Sequence, residues 1–244
     1  MDLQHFNHDG AALAFKRHAG AGPCVIWCGG LKSDMEGSKA VFLHERCAEA
    51  DLNYVRFDYY GHGLSEGAFT DGTVSRWASD VGAVMERFGG GEVVLVGSSM
   101  GGWASLLAAL ERPDGVRAML LINPAPDFTE KMVWAGWDDH KRAMLEEDGV
   151  VFEPSDYGEP YAYSRALIED GRARQILDAP IPLTCPVEIL QGADDTVVPP
   201  DYSARIVDAL ESGRVGYTLV KGGDHSLSRP EDLQRLWRTL QGLL

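Results

Sequence analysis

Short apolar segments of strand length alternate along this chain of 244 residues with amphipathic segments of helix length. The central apolar segments are continuous runs of Val, Leu and Ile, which is typical of strands covered by helices on both faces. The candidate strands are 25–28, 54–57, 93–96, 118–122, 187–190 and 217–220, and the candidate helices are 39–50, 74–88, 103–111, 202–210 and 230–244. This alternation predicts an α/β fold with a mostly parallel, doubly wound sheet.

Two parts of the chain depart from the alternation. Residues 6–15 straddle a turn at Asp9-Gly10, which predicts an antiparallel hairpin at the N-terminus. Residues 126–184 contain no convincing core strand, and we interpret them as a helical lid inserted into one domain that spans 1–244. Two interpretations of the lid aromatics stay open, a pocket wall or the lid's own packing. These aromatics are Phe128, Trp134, Trp137, Phe152, Tyr157, Tyr161 and Tyr163.

Charge and composition exclude several classes of partner. The formal net charge of −15 would repel nucleic acid, and the apolar runs are far too short to span a membrane. The N-terminal residues lack the basic start and apolar stretch of a signal peptide, which predicts a cytoplasmic location. The four cysteines, at positions 24, 28, 47 and 185, have no zinc-binding spacing, so we expect buried thiols and no metal site.

The segment 97–101 reads Gly-Ser-Ser-Met-Gly, which is a G-x-S-x-G motif. It follows a candidate strand and opens a candidate helix, which is the context in which this motif presents a nucleophile on a tight turn. Glycines flank the serine because a side chain there would collide with the turn, and the helix N-terminus directs N–H groups toward developing negative charge. The motif therefore predicts Ser99 as a catalytic nucleophile.

A serine hydroxyl needs a neighbouring base, and in this type of fold the acid and then the histidine follow the serine along the chain. Only His140 and His225 follow Ser99, and His140 falls within the expected lid. His225 directly follows the last candidate strand, so we predict that it is the base. Two adjacent aspartates, Asp194 and Asp195, follow the preceding strand, and spacing alone does not choose between them.

These features together resemble the α/β-hydrolase superfamily. Residues 192–199 (GADDTVVP) are similar to its acid-loop pattern G-x-x-D-x-x-V-P, and this resemblance assigns the acid to Asp195. Residues 58–65 (DYYGHGLS) resemble its D-x-x-G-x-G-x-S loop, which shapes the surroundings of the site and implies no chemical role for His62.

A narrower resemblance, to the mitochondrial palmitoyl-protein thioesterases and their bacterial relatives, rests on residues 30–40 (GLKSDMEGSKA), 56–59 (RFDY) and 96–103 (VGSSMGGW). It implies an oxyanion hole formed by the backbone N–H groups of Leu31 and Met100. Many relatives have His-Gly where this chain has Gly29-Gly30, which leaves the support of that loop undefined.

The function implied is that of a serine hydrolase for esters or thioesters of small acyl substrates, through an acyl-enzyme on Ser99. This chemistry requires no metal or organic cofactor. Two alternatives stay open: hydrolysis of a carbon–carbon bond in a diketone-like metabolite, and ligand binding without catalysis on the same fold. The sequence does not indicate the oligomeric state.

Overall fold

The computed structural model describes residues 2–154 and 160–244. Within them the strands are β1 Gln4–His8, β2 Ala11–His18, β3 Ala21–Cys28, β4 Leu52–Phe57, β5 Val93–Ser98, β6 Val116–Ile122, β7 Val150–Glu153, β8 Tyr161–Ser164, β9 Val187–Gly192 and β10 Val215–Val220. The α-helices are α1 Ser38–Glu49, α2 Val74–Phe88, α3 Met100–Glu111, α4 Asp139–Asp148, α5 Arg165–Ala173, α6 Pro200–Ala209 and α7 Pro230–Gln241.

Eight of these strands form one sheet in the order β1-β2-β4-β3-β5-β6-β9-β10. β2 pairs antiparallel with both β1 and β4, and every other pairing in the sheet is parallel. The predictions of a mostly parallel α/β sheet and of an N-terminal antiparallel hairpin are therefore confirmed. Parallel order brings the carboxyl ends of β5, β6 and β9 to one edge, where the loops that follow them can meet.

Helices cover both faces of the sheet. The apolar sides of α1 and α7 pack on one face, against residues such as Val94 and Leu120. α2, α3 and part of α6 pack on the other, against residues such as Leu95 and Leu121. Neighbouring residues of β5 and β6 thus point into opposite layers, and all of them except Arg117 are buried. This burial on both faces explains why the two strands read as mostly apolar runs.

Residues 123–186 connect β6 to β9, and we call them the cap segment. It contains a π-helical turn at Thr129–Trp134, the helices α4 and α5, and an antiparallel pair of strands, β7 and β8, that is separate from the main sheet. The sequence indicated helices here but not this pair of strands. Asp170 fastens the segment to α2, because its carboxylate accepts hydrogen bonds from the backbone N–H and hydroxyl of Ser75 at 2.8 and 2.6 Å.

Three of the four cysteines are buried, as predicted, whereas Cys185 is only half-buried. Burial raises the pKa of the Cys24, Cys28 and Cys47 thiols to about 12, which keeps them protonated and unreactive near neutral pH. Among the described residues, none of the helices combines the length and the apolar character needed to cross a bilayer.

Candidate active site

Ser99 occupies the turn between β5 and α3. Its backbone has φ 53° and ψ −120°, a left-handed conformation that is strained for a residue with a Cβ. The Ser99 N–H donates to the carbonyl of Ile122 at 2.9 Å, and its own carbonyl accepts from Gly102 and Ala125 at 2.9 and 3.1 Å. Bonds to both neighbouring segments therefore hold the strained turn, which carries the hydroxyl away from the sheet.

Two glycines of the motif permit this close packing. A Cβ on Gly101 would lie 2.2 Å from the carbonyl oxygens of both Cys28 and Gly29, and one on Gly97 would lie 2.7 Å from the carbonyl oxygen of Gly101. Both distances are far below van der Waals contact. The turn thus lies directly against the end of β3, where the Gly29-Gly30 loop begins.

His225 and Asp195 meet Ser99 at the carboxyl ends of the strands. Nε2 of His225 lies 3.2 Å from Oγ of Ser99, and Nδ1 lies 2.8 Å from Oδ2 of Asp195. A carboxylate only accepts hydrogen bonds, so Nδ1 carries the imidazole proton when the ring is neutral and Nε2 can accept from the serine hydroxyl. The three side chains form one hydrogen-bonded chain.

The acid loop separates the two adjacent aspartates. The Asp195 side chain is fully buried, and its Oδ1 accepts from the backbone N–H groups of Val197 and Val198, both at 2.8 Å. The amide of Gln191 approaches Oδ2 at 3.4 Å. Asp194 is exposed. The structure therefore brings Asp195, and not Asp194, to the histidine.

Asn123 joins the acid loop to the histidine loop, a contact that the sequence analysis missed. Its buried side chain accepts from the N–H of Gly192 at 2.7 Å and donates to the carbonyls of His225 and Asp224 at 2.7 and 3.2 Å. The signal available in the sequence was its position, directly after β6 at the edge where the functional loops converge.

Lys39, at the start of α1, supports the histidine loop from the other side. Its ammonium donates to the carbonyl of Ser226 and to the hydroxyl of Ser228. Desolvation by burial lowers the pKa of Lys39 to about 8, partly opposed by Asp224 and Asp232. This contact gives a structural reason for the lysine in the segment 30–40.

Leu31 and Met100, the expected oxyanion donors, both lie at the cavity that contains Ser99. Met100 is the first residue of α3, where a helix leaves its backbone N–H without an intrahelical partner. Leu31 lies in a turn that follows β3, and both residues line the same cavity as Ser99. Within residues 2–154 and 160–244, neither N–H has a hydrogen-bond acceptor.

The cavity at Ser99 has a volume of about 700 Å³, within the range of small-molecule sites. Apolar side chains from the cap segment and the acid loop contribute to its lining. They are Phe128, Met132, Val133, Tyr161, Tyr163, Val197 and Val198. Polar residues near the start of α1 also line it. They are Ser33, Asp34, Ser38 and Lys39.

Of the seven aromatics of the predicted lid, three favour the pocket wall and two favour the lid's own packing. Phe128, Tyr161 and Tyr163 line the cavity. Trp134 and Trp137 pack on each other with ring centroids 6.0 Å apart, and Phe152 is exposed. Tyr157 lies outside the described residues.

The remaining candidate histidine lies elsewhere, since His140 is exposed on α4. In the part of the chain that the structure describes, no group of three His, Cys, Asp or Glu side chains is placed to hold a metal ion. His62 is buried, and its Nε2 lies 3.0 Å from the backbone nitrogen of Lys32, next to Leu31.

Residues 27–169 match the protein family described as having the alpha/beta hydrolase fold. The chain belongs to this family. Among its α/β-hydrolase relatives is the mitochondrial palmitoyl-protein thioesterase ABHD10 of mouse, which is 35% identical over 95% of this chain and 78% of its own length. The human enzyme of the same name is 33% identical over 95% of this chain and 76% of its own length.

Solved structures of α/β hydrolases match over nearly the whole chain. A crystal structure from Agrobacterium vitis S4 has a TM-score of 0.94 and 40% identity, covering 99% of this chain and 98% of that one. Mouse alpha/beta hydrolase domain-containing protein 10 has a TM-score of 0.91 and 33% identity, covering 100% of this chain and 98% of its own.

These comparisons correct one expectation from the sequence. The prediction of a cytoplasmic location is wrong on this evidence, because the curated relatives at 33–35% identity are named as mitochondrial proteins. That prediction rests on the absence of a signal-peptide pattern, and such an absence does not identify a compartment.

Proposed function

We propose that this α/β hydrolase cleaves carboxylic ester or thioester bonds of acyl substrates through an acyl-enzyme on Ser99. The observation that carries the proposal is the hydrogen-bonded chain from Ser99 through His225 to the buried carboxylate of Asp195, which opens on a largely apolar cavity. A serine, a base within hydrogen-bond reach and an acid that orients the base are the parts that acyl transfer requires.

In the first step the hydroxyl oxygen of Ser99 attacks the carbonyl carbon of the substrate while Nε2 of His225 takes the hydroxyl proton. The carbonyl oxygen becomes an oxyanion, which accepts hydrogen bonds from the N–H groups of Leu31 and Met100. The tetrahedral intermediate then breaks its bond to the alcohol or thiol. His225 gives its proton to that leaving group, and the acyl group remains as an ester on Ser99.

In the second step water enters and His225 takes one of its protons as the oxygen attacks the acyl-enzyme. The same two N–H groups receive the second oxyanion. Collapse of this intermediate releases the carboxylic acid and returns the proton to the oxygen of Ser99. The enzyme is therefore restored, and the net reaction consumes one water for each bond cleaved.

Asp195 acts on the imidazole and not on the substrate. Its Oδ2 receives the Nδ1 proton at 2.8 Å, which selects the tautomer whose Nε2 can accept from serine. Its negative charge favours the imidazolium that forms in each step. Two backbone N–H groups hold its other oxygen, so the carboxylate keeps its orientation although it is buried.

The apolar part of the cavity is the place for the acyl chain. Its wall of aromatic and aliphatic side chains from the cap segment suits a hydrocarbon chain, and the relatives named palmitoyl-protein thioesterases support this class of substrate. In this proposal the cap segment serves as a lid within a single hydrolase domain. The polar part of the cavity, near Ser33 and Ser38, receives the leaving group.

A fluorophosphonate probe tests the nucleophile. Wild-type protein should be labelled at Ser99, whereas Ser99→Ala should not be labelled and should lose at least about a thousandfold in turnover. Ser98→Ala is the matched control, because it removes the neighbouring hydroxyl of the same motif. Failure to label the wild type, or equal labelling of Ser99→Ala, would refute the proposed function.

A substrate series tests the bond that is cleaved. We expect turnover of p-nitrophenyl esters and of acyl thioesters, with kcat/KM rising as the acyl chain lengthens to fill the apolar part of the cavity. Negligible turnover across the whole series in protein that is labelled by the probe would instead favour carbon–carbon hydrolysis or ligand binding.

A further inference from the structure

The turn that carries Leu31 has an unusual conformation. The N–H of Ser33 donates to the carbonyl of Gly30 at 3.2 Å, so residues 30–33 form a β-turn with Leu31 and Lys32 at its corners. Lys32 has φ 59°, whereas Leu31 is not among the residues with positive φ. Positive φ at the second corner alone is characteristic of a type II turn, in which this corner normally takes glycine. A lysine there is strained, so other contacts must hold it.

His62 makes the contact that holds this turn. The backbone N–H of Lys32 donates to Nε2 of His62 at 3.0 Å. Nδ1 of the same ring lies 3.1 Å from the carbonyl oxygen of Tyr60. A carbonyl can only accept and a backbone N–H can only donate, so the two partners require a neutral ring with its proton on Nδ1.

The surroundings of His62 keep the ring neutral and still. The residue is 3% exposed, and three aromatic rings stand edge-on to it, with centroid distances of 5.6 Å to Tyr59, 5.1 Å to Phe69 and 5.2 Å to Trp77. Desolvation by burial lowers the pKa of His62 to about 4. The ring therefore presents an acceptor, and not a second donor, to Lys32 across the neutral pH range.

We propose that His62 is a positioning residue for oxyanion stabilisation, acting by holding the Gly30–Ser33 turn in the conformation that presents the Leu31 N–H to the substrate. The inference rests on the proposed function, since it requires that an oxyanion forms beside Ser99. It assigns a role to a residue to which the sequence pattern gave none.

Removal of the acceptor would release the turn in a defined way. Type I and type II turns differ by a rotation of the central peptide, here the one between Leu31 and Lys32. Without His62, Lys32 can relax to negative φ, and the rotated peptide then changes the backbone of Leu31. The turn is close to the nucleophile, since a Cβ on Gly30 would lie 3.5 Å from Cβ of Ser99. A small change in this turn therefore moves the Leu31 N–H relative to the carbonyl that reacts with Ser99.

Three variants separate hydrogen bonding from packing. His62→Phe keeps a buried ring and removes the acceptor. His62→Gln places its side-chain oxygen at the same number of bonds from Cα as Nε2, so it can still accept from Lys32. Phe69→Leu is the matched packing control, because it removes one ring of the cage and leaves the hydrogen bond to Lys32 intact.

Steady-state kinetics with a p-nitrophenyl ester should distinguish these variants. Loss of a whole oxyanion donor costs roughly a hundred- to a thousandfold in kcat, so we expect His62→Phe to lose about 10- to 100-fold in kcat with KM changed less than about threefold. His62→Gln should recover most of that loss, and Phe69→Leu should keep wild-type kcat. Equal losses in His62→Phe and Phe69→Leu would overturn the proposal.

The Lys32→Gly background gives a second test, because glycine adopts positive φ without strain. If His62 acts by holding Lys32 at positive φ, His62→Phe should lose less than about threefold in kcat when compared with Lys32→Gly alone. A loss as large as in the lysine background would contradict the mechanism. A role of His62 in core packing alone would not respond to residue 32.

Two further measurements keep the outcome clear. Should His62→Phe fail to fold, ¹⁵N NMR of the wild type still tests the geometry, since a neutral ring protonated at Nε2 would refute it. Labelling of wild-type Ser99 by a fluorophosphonate separates this inference from the proposed function. A wild type that is neither labelled nor active defeats the proposed function, whereas an active wild type with a fully active His62→Phe defeats only this inference.

Discussion

Asn123→Asp tests how the histidine loop is held beside the acid loop. The side chain is fully buried and lies at φ 43°, a conformation that Asp tolerates as Asn does. Asp keeps an oxygen for the N–H of Gly192, so the contact to the acid loop is retained. The other oxygen replaces Nδ2, which donates to the carbonyls of His225 and Asp224. The substitution therefore removes the amide donor to the histidine loop and places a buried carboxyl group beside the two carbonyls.

The magnitude follows from those two bonds. Each buried hydrogen bond contributes about 1 kcal/mol net, and a buried carbonyl left without its donor costs about 1–3 kcal/mol. Two carbonyls now face a carboxylate oxygen, so we expect the free energy of unfolding to fall by about 2–4 kcal/mol at pH 7. A protein of this size loses about 2–4 °C in Tm for each kcal/mol, which predicts a decrease of roughly 4–16 °C.

Thermal unfolding and esterase kinetics measure the two consequences. Because the lost bonds hold the backbone of His225 itself, we expect kcat to fall by roughly 10- to 100-fold, the cost of a misplacement below about 1 Å. Asn7→Asp makes the same chemical change on the exposed face of β1 and should alter stability by less than about 0.5 kcal/mol. Equal Tm values for Asn123→Asp and Asn7→Asp would refute this account of the loop.

Three other substitutions test separate features. Burial lowers the pKa of Lys39 to about 8 from an ordinary value of 10.5. As the pH rises, the folded state therefore loses this proton at a lower pH than the unfolded state does. Chemical denaturation should therefore show that wild-type stability relative to Lys39→Met rises between pH 8 and 10.5, by up to about 3 kcal/mol; a constant difference would contradict this. Gly101→Ala places a Cβ 2.2 Å from the Cys28 carbonyl and should lower stability by at least about 1–3 kcal/mol, whereas Gly136→Ala, with no atom within 4 Å of its Cβ, should not. Val133→Trp fills the apolar part of the cavity and should lower kcat/KM for a long-chain p-nitrophenyl ester roughly tenfold or more relative to the acetate; an equal effect on both would remove Val133 from the acyl wall.

Much of the sheet could be predicted because strands buried on both faces leave a strong local signal. The apolar runs at β5, β6 and β9 coincide with observed strands within a few residues, and the motif at Ser99 indicated where the chain must turn from strand to helix. The cap segment gave a weaker signal. β7 and β8 have four residues each and form a separate pair of strands, so little apolar periodicity marks them.

The candidate site could be predicted only in part, because several of its contacts join residues that are distant in sequence. The choice between Asp194 and Asp195 depends on which way the loop turns, and residue spacing does not encode that direction. Asn123 contacts His225 across 102 residues, and Lys39 reaches Ser226 across 187. No local pattern contains such pairs. They become visible only when the parallel strands bring the loops to one edge of the sheet.

The proposed oxyanion donors show a further limit of prediction from sequence, because a backbone N–H has no residue-specific signature. Leu31 and Met100 would donate equally well with many other side chains, so their identities carry little information about this role. The residues that do carry information about this role are those that shape the backbone around the two donors. Gly101 permits the close approach of the Ser99 turn to β3, and His62 accepts from the peptide next to Leu31. For a site built from main-chain groups, we therefore expect substitutions at such supporting residues to reduce catalysis more than substitutions of the donor residues themselves.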